Sequence, residues 1–219
     1  MKKILLMGNP NVGKSVVFSR LTGADVISSN YPGTTVEFTE GRMRLGREKA
    51  MLIDVPGTYT LEPTCSAERI AVEMIKEGDL IVNVLDATHL ERNLLLTLQL
   101  LEKKKPMVVV LNIWDETKHK GIEIDLKKLE AELGVPVIPT AAITGEGIKK
   151  LVSALSKVKM PKNKPTSTQE KWKKIGEIVK KVQKVTHRHH TFLERFRDLT
   201  IKPLFGIPFA VLVLLATFI

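Results

Sequence analysis

The eight residues Gly8-Asn9-Pro10-Asn11-Val12-Gly13-Lys14-Ser15 fill every position of the pattern G-x-x-x-x-G-K-[ST]. Such a loop works only between a strand and a helix, because its backbone N–H groups must turn together toward a phosphate at the positive end of a helix dipole. The flanks meet that demand. Ile4-Leu5-Leu6-Met7 reads as a buried strand before the loop, and Val16 to Leu21 continues as a helix after it. Lys14 can reach β- and γ-phosphate oxygens, and Ser15 supplies a hydroxyl to Mg²⁺. This one segment predicts an α/β fold of the P-loop NTPase kind.

The rest of the chain agrees. Apolar runs at residues 4–7, 36–43, 50–54, 80–85, 107–111 and 135–139 predict a six-stranded sheet. Residues 66–76, 90–104, 126–133 and 147–158 carry helical spacing between them. Most of the runs lack alternation, as expected where helices cover both faces of a mostly parallel sheet. Cys65 is the one cysteine, so no internal disulfide forms and a reducing compartment is expected. No secretory signal pattern opens the chain, since the apolar stretch behind Lys2 and Lys3 is too short.

Charge divides the sequence. Residues 1–156 hold 20 Lys/Arg and 20 Asp/Glu, whereas residues 157–202 hold 14 against 4 and so carry the whole net charge of +10. The expected organisation is a nucleotide-binding G domain over 1–158, a Pro- and Lys-containing linker over 159–168, a basic helical region over 169–202, and the start of a membrane span over 203–219. Trp172, Ile175, Ile178, Val179, Val182 and Val185 share one stripe, which is expected to dock on the nucleotide domain. The last 17 residues are uncharged and mostly apolar. They fall short of the roughly 20 residues that a span needs, yet they follow a basic flank and read as the cut-off beginning of a transmembrane helix. His187, His189 and His190 read as a solvated basic flank rather than a metal site, because only His187 and His190 would share a helix face.

Further short motifs carry chemistry. Asp54-Val55-Pro56-Gly57 closes the third predicted strand, where Asp54 would hold Mg²⁺ through water and Gly57 would offer its N–H to a γ-phosphate. Asn112-Ile113-Trp114-Asp115 follows the fifth. The Asp115 carboxylate can accept from the guanine N1–H and 2-amino groups together, whereas adenine would leave it unpaired or repelled. Asn112 would brace the loop and touch the base N7. In the segment from Thr140 to Gly147, the Ala142 N–H could donate to the guanine O6, while Ala141 replaces the usual bracing serine. Between the phosphate loop and the second predicted strand, Gly33-Thr34-Thr35 offers a threonine for Mg²⁺, and spacing favours Thr35 over Thr34.

These elements, in this order and spacing, resemble the translation-factor-related GTPases and, more closely, the N-terminal domain of the FeoB family of ferrous iron transporters. The closer match rests on the phosphate loop, Asn30-Tyr31-Pro32-Gly33-Thr34-Thr35-Val36-Glu37, Asp54-Val55-Pro56-Gly57-Thr58-Tyr59, Val84-Leu85-Asp86-Ala87 and Leu90-Glu91-Arg92-Asn93-Leu94. It resumes at Lys202-Pro203-Leu204-Phe205-Gly206-Ile207-Pro208, which looks like the family's entry to its first span.

The resemblance implies a GTP- and GDP-binding switch with Mg²⁺ that regulates ferrous iron uptake. Its partner would be a permease within the same polypeptide, at the cytoplasmic face of a prokaryotic inner membrane, with homo-oligomerisation left open. Gly8 to Val16, Gly33, Thr34, Thr35, Asp54, Pro56, Gly57, Asn112, Ile113, Asp115, Ala141 and Ala142 would line the nucleotide site. Lys14, Thr35, Gly57 and Asn11 would act in hydrolysis, and Asn11 would hold K⁺ beside the phosphates. Thr58 stands where small GTPases carry a water-orienting glutamine, so slow turnover is expected.

Two departures from the family stand out: Ile113 replaces a common methionine, and residues 169–202 leave little room for the larger helical domain said to slow GDP release. The basic segment alone would also suit an RNA-binding or ribosome-assembly GTPase. It has few aromatics and runs into an apolar stretch, so no nucleic-acid partner is expected.

Overall fold

The structure is a computed structural model that describes residues 1–186 other than 24, 25, 33, 47, 64, 65, 157, 159 and 162–166, together with Leu215. In chain order the elements are β1 (Lys2–Gly8), α1 (Lys14–Thr22), β2 (Val26–Asn30), β3 (Glu37–Leu45), β4 (Glu48–Asp54), α2 (Ser66–Glu77), β5 (Leu80–Asp86) and α3 (Leu90–Leu101). They continue with β6 (Met107–Asn112), α4 (Trp114–His119), β7 (Ile122–Ile124), α5 (Leu126–Leu133), β8 (Val137–Pro139), α6 (Ile148–Leu155), α7 (Thr168–Val182) and β9 (Gln183–Val185).

Successive residues of a strand point to opposite faces, and here both faces are apolar. On β1, Leu5 and Met7 join one core layer with α2, α3, α5 and α7, while Ile4 and Leu6 join the other with α1 and α6. All four are at most 1% exposed, which is why the run lacks polar alternation. The main sheet runs β2-β3-β4-β1-β5-β6-β8. Strands β4, β1, β5, β6 and β8 are parallel, and β3 pairs antiparallel with both β2 and β4. After β1 the chain crosses to the sheet edge at β2, returns inward through β3 and β4 to pair with β1, then crosses to β5 on the other side. The C-terminal end of β1 is therefore the topological switch point, where ligands bind in such sheets.

The sheet has seven strands, one more than the six apolar runs predict. The addition is β2, whose residues are almost all exposed and which pairs only through β3 at the sheet edge. An edge strand with little to bury carries no hydrophobic period. The small β7–β9 sheet was likewise invisible, because three residues a strand are too few for a pattern.

Helix α7 docks as its stripe predicts, but not with all of it. Ile175, Ile178 and Val182 are buried against the core, whereas Trp172 is 47% and Val185 60% exposed. The helix opens with a capping box between Ser167 and Glu170, which satisfies backbone donors of its first turn. Polar ties fix its length. Thr168 Oγ1 donates to Glu62 Oε1 at 3.0 Å, Lys171 pairs with Glu102 at 3.0 Å, and Lys181 pairs with Glu132 at 2.9 Å. Met1–Val185 forms one compact unit and Thr186–Ile219 a second. The expected span at 203–219, apart from Leu215, and the histidines at 187, 189 and 190 lie outside the described residues, as do Gly33 and Cys65. Among the described residues no helix is long and apolar enough to cross a membrane.

Candidate functional site

The phosphate loop leaves β1 at Gly8 and enters α1 at Lys14, as its sequence requires. Two glycines are fixed by close approach. A Cβ on Gly13 would lie 2.4 Å from Asn112 Nδ2, in a backbone already at φ +83°. A Cβ on Gly57 would lie 3.2 Å from the Pro10 backbone, so the segment after Asp54 packs directly on the loop. The Thr58 N–H donates to the Gly8 carbonyl at 3.3 Å, which reinforces that approach. Asn11 sits at φ +65°, a left-handed conformation that asparagine tolerates better than most residues. Its side chain is exposed and makes no hydrogen bond among the described residues.

Lys14, Ser15 and Asp54 converge. Lys14 Nζ lies 3.1 Å from Asp54 Oδ1, and Ser15 Oγ donates to Asp54 Oδ2 at 3.3 Å. A hydroxyl and a carboxylate side by side are the hard oxygen donors that Mg²⁺ takes, directly or through water, so these residues fit that ion.

The threonine pair separates cleanly. Thr34 Oγ1 donates to the Tyr31 carbonyl at 2.9 Å and accepts from Val36 N at 3.3 Å, so it holds its own turn. Thr35 is exposed and makes no side-chain hydrogen bond among the described residues. Thr58 is turned away from the site: it is 2% exposed, and its hydroxyl donates to the Thr60 carbonyl at 2.6 Å and to Glu68 at 3.3 Å.

Asn112 links the two halves of the site. Its Nδ2 donates to the Val12 carbonyl at 3.0 Å, and its Oδ1 accepts from Thr140 Oγ1 at 3.2 Å and from Ala142 N at 3.1 Å. The Ala142 N–H, expected to face a guanine O6, is thus engaged by Asn112. Ile113 follows at φ +60°, a rare conformation for a β-branched residue, and turns the chain into α4. Asp115 then stands in the first turn of α4, half-buried and with no hydrogen bond or ion pair among the described residues.

Several residues support the site in roles that the sequence did not reveal, although Arg92 and Thr140 stand within motifs it did. Thr140 and Thr144 supply the bracing hydroxyls that Ala141 lacks, Thr144 Oγ1 donating to the Ala141 carbonyl at 3.0 Å. Arg20 reaches from α1 to the same loop, its Nε donating to the Ala142 carbonyl at 2.9 Å and its Nη2 to the Ile143 carbonyl. On α3, the Arg92 guanidinium lies over the Tyr59 ring, 4.7 Å from its centroid. Pro56 is half-buried and Val16 exposed, the Val16 carbonyl accepting from Ser19 Oγ at 2.9 Å.

Comparison with known proteins places this geometry in a family. The sequence profile described as ferrous iron transport protein B matches residues 2–155. The Fe(2+) transporter FeoB of Legionella pneumophila (strain Paris) is 45% identical over 161 residues, covering 71% of this chain and 21% of that protein. Among solved structures, the cytosolic domain of L. pneumophila FeoB is 35% identical with a TM-score of 0.75, covering 84% of this chain and all of that one. A GDP-bound S. thermophilus NFeoB E67A mutant is 37% identical with a TM-score of 0.68, covering 71% of this chain and 61% of that one. The chain spans about a fifth of the length of the curated relatives it matches.

Proposed function

We propose, from the premise that the chain belongs to the ferrous iron transport protein B family, that it is a guanine-nucleotide switch which hydrolyses GTP slowly and regulates ferrous iron uptake. The observation that carries the nucleotide reading is Asp115. It is a carboxylate without a hydrogen-bond or ion-pair partner among the described residues, in a loop that Asn112 ties at 3.0 Å to the phosphate loop. Such a group accepts two hydrogen bonds from guanine and none from adenine, so the site discriminates against ATP by leaving a polar group unpaired.

The residues take roles that follow from their positions. Lys14 moves from Asp54 to the β- and γ-phosphates when they arrive, which frees Asp54 for the water shell of a metal ion. Ser15 and Thr35 offer the hydroxyls that would hold Mg²⁺, and bound Mg²⁺ offsets phosphate charge. Gly57 presents its N–H to the γ-phosphate, and loss of that phosphate releases both Gly57 and Thr35. Thr58 has its hydroxyl bonded elsewhere, so no side chain at that position orients the attacking water and turnover is slow. Asn11, whose amide makes no hydrogen bond among the described residues, is the residue that would hold K⁺ where charge develops in transfer.

The wider reading follows the family: regulation of a permease in the same polypeptide, at the cytoplasmic face of the inner membrane. The test is GTP turnover in potassium and in sodium. We expect slow hydrolysis that is faster in potassium, and Asn11→Ala that abolishes the difference while GDP still binds. Equal rates in both salts would remove the potassium site, and no hydrolysis in either would remove the enzyme.

A further inference from the structure

The Thr58 hydroxyl bonds to Thr60 and Glu68, which leaves the Tyr59 ring between Thr58 and Thr60 to be held from outside the segment. Helix α3 holds it. The Arg92 main-chain carbonyl accepts from Asn9 Nδ2 at 3.3 Å, tying the first turn of the helix to the phosphate loop. The Arg92 guanidinium stacks on Tyr59, two residues beyond Gly57. Two turns along the same helix, Gln99 accepts from Leu61 N at 2.8 Å and its Nε2 donates to Thr60 Oγ1 at 3.0 Å. Residues 59–61 are therefore held one after another by α3, with Arg92 at the end nearest the phosphates. Arg92, Tyr59, Asn9, Pro10 and Asn11 line a single pocket of ≈ 160 Å³, so the stack borders the phosphate loop itself.

We propose that Arg92 is a positioning residue for GTP hydrolysis. Its stack on Tyr59 holds the Gly57–Thr58 backbone against Pro10, so the Gly57 N–H is set before the γ-phosphate develops charge. The inference rests on the hydrolysis reading above. Tyr59 is 41% exposed, so without the guanidinium the ring is free to turn into solvent and the backbone behind it loosens. A planar guanidinium suits this contact, because it lies flat on a ring face as an ammonium does not. The tie to Asn9 uses the main chain and survives any change of the Arg92 side chain. Nucleotide binding should then be spared while the chemical step is not.

The experiment measures kcat and KM for GTP, together with GDP affinity, on the full chain. Arg92→Ala and Tyr59→Ala should each lower kcat about two- to five-fold, the range expected of an exposed cation–π contact. KM and GDP affinity should stay unchanged, which also reports that the variants are folded. Tyr59→Phe keeps the ring face and should keep the rate. The double variant Arg92→Ala/Tyr59→Ala should be no slower than either single change, since both remove one contact. Full activity in Arg92→Ala, a loss confined to GDP affinity, or losses that multiply in the double variant would each overturn the proposal. A wild-type chain that does not hydrolyse GTP would overturn the function and this inference together. A wild-type chain that does, beside a fully active Arg92→Ala, would overturn the inference alone.

Discussion

Removing the Asn112 side chain would orphan the Val12 carbonyl, the Thr140 hydroxyl and the Ala142 N–H in one step, because all three bond to it within 3.2 Å. That makes Asn112 a structural hub, and in the proposed site Asp115 is the group that would read the base. Asp115→Asn replaces a double acceptor with an amide that donates as well as accepts, so one guanine donor loses its partner. We expect GDP affinity to fall by about 1–3 kcal/mol, roughly five- to 150-fold, with thermal stability little changed; a titration with GDP checks it. At this scale the motif residues were legible from sequence because each is dictated by phosphate or base chemistry. The choice of Thr35 over Thr34 rested on spacing, and Thr34 bonds within its own turn. The roles of Thr140, Thr144 and Arg20 were not legible. They act by reaching across the fold, and nothing local marks them.

Helix α7 is the element whose attachment matters most. Ile175 is fully buried in the layer that α7 shares with α3 and α5, so Ile175→Ala should cost about 2–5 kcal/mol of unfolding free energy, measured by denaturant titration. The capping box adds a pH signature. The side-chain hydrogen bond with Ser167, then the Ser167 backbone N–H, hold the Glu170 carboxyl below its ordinary value of 4.5. A depressed carboxyl contributes stability above that value and loses it as pH falls through the lower folded one. Glu170→Gln should therefore lower Tm at pH 7, and the difference from wild type should shrink as pH drops below 4.5. An unchanged gap at acid pH would contradict the cap. The docking of α7 was readable from its stripe, but the outward turn of Trp172 was not, because periodicity gives a face and not its edges. Strand β2 escaped for a related reason, since an exposed edge strand has nothing to alternate.

For the whole molecule, charge and contact draw different lines. The sequence is neutral through residue 156 and basic beyond it, yet the compact unit runs from Met1 to Val185 because α7 packs on the nucleotide domain. The boundary expected at 158 falls inside that unit. Glu62, eight residues after Asp54, bonds directly to Thr168 at the start of that helix. A change in the segment after Asp54 therefore has a short mechanical route to α7. The proposed switch depends on the site taking guanine nucleotides. The most direct measurement is the affinity of the purified chain for GDP against ADP under identical magnesium and salt. GDP should bind at least about a hundred-fold more tightly than ADP, because adenine leaves the half-buried Asp115 carboxylate unpaired. Equal affinities for the two would contradict it.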